Sequence, residues 1–126
     1  MLKAHLPQLC EDLKLESPPP QDEFKFQHLK FGAFNIAIKD LEPGYYLLSD
    51  VGPLPSDNRE EFLMLAMKAN FLGQGTGGST LGLKEDESCL TLSLSLPYEM
   101  SYKAFKDSLE EFINYLDYWK KETLKD

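Results

Sequence analysis

The chain has 126 residues, 42% hydrophobic and 27% charged, and its 13 basic and 21 acidic side chains give a formal charge of -8. That length carries one core, hence a single domain over residues 1–126, and roughly two thirds of the unfolded chain's surface is buried on folding at this size. A surface of this sign repels the phosphate backbone that dominates nucleic-acid affinity, which sets nucleic acid aside as a partner. The two cysteines, Cys10 and Cys89, are far apart and form no CxxC arrangement. They read as free thiols in a reduced compartment, with no disulfide framework and no zinc site. No apolar run has signal-peptide length or approaches the roughly 20 residues of a membrane span, so a soluble chain without membrane insertion is expected.

Leu2, Leu6, Leu9 and Leu13 recur at helical spacing with Cys10 alongside, predicting an amphipathic helix up to about Leu15. Proline is comfortable only in a first helical turn, so Pro7 places the regular start near His5 or Leu6, or else a kink there. "ESPPPQDE" ends the helix, because consecutive prolines favour an extended linker. Three strands are predicted next: "EFKFQHL" with Phe24 and Phe26 alternating, "FGAFNIAIKD" with Phe34, Ile36 and Ile38 alternating, and "GYYLLSDVG" after the turn "LEPG". Their short connections favour an antiparallel meander. In "GPLPSDNREEF", Ser56, Asp57 or Asn58 supplies an N-cap, and Glu60 and Glu61 enter the positively polarised first turn.

The second helix, about residues 59–72, reads "REEFLMLAMKANFL" and is apolar almost all round after its first turn. Such a helix must be covered on every side: one face by the sheet, the other by a second subunit. After the charged turn "KEDES" comes "CLTLSLSLP", where Leu90, Leu92, Leu94 and Leu96 alternate with Thr91, Ser93 and Ser95, a strand with one dry and one wet face. The last helix starts with Ser101 as N-cap and carries Tyr102, Phe105, Leu109, Phe112, Ile113, Leu116 and Trp119 on one stripe. The predicted order is α-β-β-β-α-β-β-α, an α+β fold with helices packed on an antiparallel sheet.

Between the second helix and the next strand, "ANFLGQGTGGSTLGL" satisfies both GxGxxG and the GxxxxG of a Walker loop. Both motifs require a loop that leaves a strand and enters a helix N-terminus. This loop leaves a helix and enters a strand, so a phosphate would meet the negative helix end, and Ser79 stands where the Walker pattern needs lysine. The glycines are therefore assigned to chain reversal: Gly73 as a left-handed helix cap, and Gly75, Gly77 and Gly78 for the sharp turn back. No cofactor is expected.

No catalytic constellation can be assembled. His5 falls in an N-terminal turn and His28 at a strand end without an acidic sequence neighbour, and both read as solvated histidines. "KEDE" lacks calcium-loop spacing and reads as a hairpin tip. Tyr115, Tyr118 and Trp119 have the spacing of helix packing.

Residues 59–122 resemble one known family. "LMLAMKANFLGQGTGGSTLGLKEDESCLTLSLSLP" followed by "YEMSYKAFKDSLEEFINYLDYWKKE" is similar to the class I type III secretion chaperones of the CesT/SycE-like, or Tir chaperone, family. Ala69, Asn70, Thr76, Gly77, Gly78, Leu81, Gly82, Leu83, Leu96, Pro97, Phe112, Ile113, Asn114 and Trp119 carry the likeness. Ser79, where alanine is usual, and Pro7 depart from it. The resemblance implies a non-enzymatic homodimer of the bacterial cytoplasm that binds the N-terminal chaperone-binding segment of a secreted effector. It keeps that segment extended and delivers it without hydrolysing ATP, with the secretion ATPase or sorting platform as a further candidate partner.

Dimerisation would run through the second helix, with Phe62, Leu63, Leu65, Ala66, Met67 and Asn70 as candidates. An effector segment can add a strand to an exposed sheet edge while its apolar side chains fill adjacent pockets. The candidate pool for that contact is Leu6, Leu9, Phe24, Phe26, Phe34, Ile36, Tyr45 and Leu47, from the first helix and early sheet. A regulatory or adaptor dimer of the same fold, binding a folded partner, is the alternative reading.

Overall fold

The computed structural model describes residues 2–15, 20–71, 75–84 and 88–124. Among them the order is α1 (Leu2–Asp12), β1 (Phe26–Phe31), β2 (Phe34–Asp40), β3 (Tyr45–Pro53), α2 (Arg59–Asn70), β4 (Thr80–Leu83), β5 (Cys89–Leu96) and α3 (Tyr102–Thr123). This is the predicted α+β succession. The five strands form one antiparallel sheet in the order β1-β2-β3-β5-β4, so β1 and β4 are its edges.

The helices take one face of the sheet. Leu29, Ile36, Ile38, Tyr45, Leu47 and Leu92 share that face through the strand registers and are buried with α1, α2 and α3 in one core. The other face stays open and carries His28, Lys30, Asn35, Lys39, Tyr46, Leu48, Ser93 and Ser95, all exposed or half-buried. Helix α3 buries Phe105, Leu109, Phe112, Leu116 and Trp119 along the predicted stripe, and Ser101 caps it by accepting the Ala104 N–H at 3.1 Å.

Several element ends differ from expectation for local reasons. Helix α1 runs through Pro7 in regular form. The missing Pro7 N–H would have met the Lys3 carbonyl, near the helix start, so one hydrogen bond is forgone. It also stops before Leu15, in a Schellman motif: Lys14 is left-handed at φ 55, Leu15 N–H donates to Cys10 O at 2.8 Å and Lys14 N–H to Glu11 O at 3.2 Å.

Phe24 is not on a strand, because Asp22 organises a turn ahead of β1. Its carboxylate accepts the Phe24 and Phe26 N–H groups at 2.8 and 2.9 Å, with Lys25 at φ 68 between them. Asn58 occupies the cap position of α2 in a left-handed conformation and makes no side-chain cap bond.

Candidate protein-binding surfaces

Helix α2 lies along the outer edge of β4. Its inward residues Phe62, Ala66 and Ala69 enter the core, and Phe62 meets Trp119 edge-to-face at 6.3 Å between ring centroids. Two of the proposed interface residues, Phe62 and Ala66, therefore fill the chain's own interior. Leu65 and Met67 point outward, while Leu63 and Asn70 are half-buried. Met64, Met67 and Phe71 form an outward stripe at helical spacing, exposed by 59%, 72% and 70%. Met64 and Phe71 were absent from the sequence candidates, although the i, i+3, i+7 spacing gives them away once the inward face is assigned.

Asn70 has a role the sequence did not reveal. Its side-chain Nδ2 donates to Leu81 O at 2.9 Å and its Oδ1 accepts the Leu81 N–H at 2.8 Å. The carboxamide thus occupies the outward donor and acceptor at the centre of β4, acting as one residue of an additional strand. In the sequence Asn70 stood out through the family likeness and as an interface candidate, neither of which points to a bond with the Leu81 backbone.

The loop beyond α2 folds back onto the helix. The Gly75 N–H donates to Ala69 O at 3.1 Å and Trp119 Nε1–H donates to Gly75 O at 3.0 Å. A Cβ on Gly75 would stand 2.7 Å from the Ala69 Cβ. From Thr76 to Ser79 the chain makes a turn closed by Ser79 N–H to Thr76 O at 3.1 Å, with Gly77 and Gly78 at φ 63 and 87 as a type I′ turn requires. Gly73 lies outside the described residues. Between α2 and α3 a cleft of about 540 Å³ is lined mainly by Leu65, Ala69, Gly75, Tyr115, Tyr118 and Trp119.

The cargo candidates divide in the same way. Leu6, Leu9, Ile36, Tyr45 and Leu47 are core residues with essentially no exposed surface. Their apolar alternation marks the inner face of the sheet, so they present nothing to a partner in this conformation. Phe24 is 66% exposed, and Phe26 and Phe34 are half-buried. Phe26 lies on the open face, edge-on to Tyr46 with centroids 6.1 Å apart, and Lys39 Nζ sits 5.6 Å above its ring.

Neither histidine is simply solvated. His28 Nε2 lies 2.7 Å from Asp22 Oδ2. That contact first, then the Phe26 and Phe24 N–H donors, holds the Asp22 carboxyl below the usual carboxylate range. His5 Nδ1 bonds the Tyr45 hydroxyl, and its ring lies 5.9 Å from those of Tyr102 and Phe105. Burial, then the nearby N-terminal charge, lowers the His5 pKa, while burial first and Asp40 second raise that of Tyr45. The Tyr102 hydroxyl donates to Asp12 at 2.6 Å, tying α1 to α3, and burial ahead of that bond pushes it up to about 12.

The model of the Tir chaperone protein (CesT) family matches residues 5–120. The chain belongs to that family. Its fold is shared by solved structures of low sequence identity. A chain of the ExsC–ExsE complex superposes with a TM-score of 0.76 at 15% identity, covering 97% of this chain and 92% of that one. The Yersinia pestis type III secretion chaperone SycH, solved with a fragment of YscM2, gives 0.70 at 14%, covering 94% and 99%. A chain of the HopA1–SchA chaperone–effector complex gives 0.69 at 16%, covering 94% and 92%. No curated protein sequence matches the chain.

In this Tir chaperone family member the exposed apolar stripe of α2 lies at the β4 end of the sheet, and Phe24, Phe26 and Phe34 lie at the β1 end. Among the described residues no helix is long and apolar enough to cross a membrane, and no group of three or more His, Cys, Asp or Glu could hold a metal ion.

Proposed function

We propose that this protein is a cytoplasmic type III secretion chaperone that acts as a homodimer, binds an extended N-terminal segment of one or more effectors and catalyses no reaction. The observation that carries the reading is the family match over residues 5–120. The fold neighbours supporting it include a chaperone–effector complex and a type III secretion chaperone.

The physical arrangement fits these roles. The α2 stripe of Met64, Met67 and Phe71, continued by the exposed Leu83 of β4, is an apolar area of the kind a second subunit covers. Asn70 then belongs to that interface through the strand it caps. The effector segment uses the opposite end of the sheet, where Phe24, Phe26 and Phe34 remain accessible. Strand addition there gives affinity through the backbone and specificity through side chains.

Co-expression with N-terminal segments of candidate effectors from the same genome, followed by light scattering and limited proteolysis, tests the function. A dimer holding one protease-sensitive, extended segment is the expected result. A dimer that captures no such segment but retains a folded cytosolic protein would replace the chaperone reading with that of an adaptor.

A further inference from the structure

Helix α1 is held to the domain by little. Among its described side chains only Leu6, Leu9 and Cys10 are buried. Among the described residues, two side-chain hydrogen bonds join it to other elements, one towards each end. His5 Nδ1 bonds the Tyr45 hydroxyl of β3, and Asp12 Oδ2 accepts the Tyr102 hydroxyl of α3 at 2.6 Å. With so small an apolar contact, each tie is a sizeable share of what keeps the helix docked.

The His5 tie depends on the charge of the ring. Tyr45 is completely buried and has no second side-chain partner among the described residues, so its O–H must donate, and Nδ1 is the acceptor within reach. That bond requires Nδ1 to carry no proton. Protonation turns Nδ1 into a donor and leaves the buried hydroxyl proton without an acceptor. No carboxylate among the described residues pairs with His5. Asp12 is engaged by Tyr102, Asp40 acts on Tyr45, Glu110 and Cys10 act on Tyr102, and the N-terminal charge opposes a second positive charge. The surroundings are otherwise aromatic, with the rings of Tyr45, Tyr102 and Phe105 centred 5.9 Å away. The stacked Phe105 face offers an imidazolium a weak cation–π contact, smaller than the loss of a hydrogen bond to a buried hydroxyl.

We infer that α1 is a strap released by mild acid, with the His5 contact to Tyr45 as its catch. In the docked helix burial keeps His5 below its ordinary value near 6.5, which it regains once α1 lifts away. The docked state therefore binds fewer protons. Docking weakens as pH falls below about 6.5 and levels off beneath the lower, docked value. Release bares Leu6 and Leu9 on the helix and Tyr45 and Phe105 beneath it, apolar surface that the closed molecule withholds from any partner.

Cys10 reports on the strap, because it is buried on α1 and the chain's other thiol is Cys89. In the full chain carrying Cys89→Ser, the rate at which dithiodipyridine modifies Cys10, divided by its rate in the urea-unfolded chain at the same pH, measures the open fraction. That ratio is expected to rise roughly three- to tenfold from about pH 7 to about pH 5, the range one hydrogen bond sets, while the emission of the buried Trp119 stays constant. His5→Gln keeps an oxygen to accept the Tyr45 hydroxyl but does not titrate, so its ratio should not change with pH. Tyr45→Phe lacks the bond at every pH, and its ratio should already be raised at pH 7 and respond less to acid. Near-ultraviolet circular dichroism at pH 7 verifies that each variant is folded.

A parental ratio indifferent to pH, or one that rises equally in His5→Gln, would overturn the inference. A Trp119 emission that shifts together with the Cys10 reactivity would replace local release with unfolding of the whole domain. A full acid response in Tyr45→Phe would show that the Tyr45 bond is not what acid breaks.

Discussion

The two ends of the sheet solve the edge-strand problem in opposite ways. At the β4 end a helix lies against the strand, and the Asn70 carboxamide occupies the outward N–H and C=O of Leu81 at 2.8 and 2.9 Å. Beyond it the surface is apolar, formed by Met64, Met67 and Phe71. At the β1 end, Asp22 caps the first outward pair, at Phe26, and among the described residues the outward groups of His28 and Lys30 follow it along the edge. An edge that is already hydrogen-bonded but apolar suits docking of another folded surface, because burial supplies the energy. An unfilled edge with charged flanks suits an extended chain that brings its own donors and acceptors. One small sheet can therefore offer a subunit interface and a peptide site without either competing for the other's partner.

The largest effect is expected from breaking the apolar end. Met67→Glu places a charge in the middle of the stripe, and burying an unpaired carboxylate should weaken dimerisation about a hundredfold or more, read by sedimentation equilibrium. Since Met67 is 72% exposed in the single chain, the monomers should remain folded. A dimer of unchanged affinity would move the interface off this face.

Gly75→Val acts on stability through the same end. The new Cβ would stand 2.7 Å from the Ala69 Cβ, so the loop must shift and release the Trp119 indole from Gly75 O. A loss of about 2–4 kcal/mol is expected by urea denaturation. A smaller effect should follow from Asn70→Ala, which deletes both bonds to Leu81 and uncaps β4. That change should cost about 1–3 kcal/mol and raise the hydrogen exchange rate of the Leu81 amide. If that amide stays protected in a monomeric variant, Asn70 does not close the edge.

The element order was legible because long-period signals set it: the leucine alternation of β5, the stripe of α3 and the all-round apolar α2. The assignment of faces in β2 and β3 was not. Tyr45 and Leu47 go inward while Tyr46 and Leu48 go outward, and with four apolar residues in succession the pattern has no phase until the pairing with β5 supplies one. The cargo pool consequently mixed core residues such as Ile36 and Leu9 with accessible ones such as Phe26. The missed features were contacts from side chains to distant partners. His5 meets Tyr45 forty positions away, and Asn70 meets the Leu81 backbone eleven positions on. Such contacts follow from tertiary placement and leave no periodic trace.

The smallest prediction concerns how independently the β1 end is capped. The His28 contact and the Phe26 and Phe24 N–H donors depress the Asp22 pKa in the folded chain, whereas an unfolded aspartate titrates near 3.8. The folded state therefore binds fewer protons at this site. Its contribution to stability is fully present above about pH 4 and fades as pH falls through the lower, folded pKa. Asp22→Asn retains an oxygen to accept the backbone N–H groups but removes the titrating charge. Its urea midpoint should thus lie slightly below that of wild type at pH 7, decline less between pH 5 and pH 3 and converge with it in acid, the gap being small because Asp22 is only half-buried. Parallel decline of the two proteins would show that the carboxylate charge does not anchor this turn. Asp22→Ala, which removes the acceptor as well, should lose stability at every pH and let the cap of β1 fray. Comparing the two separates the charge from the hydrogen bonds, and it shows whether the open stretch of the edge begins after Phe26 because Asp22 holds that residue in place.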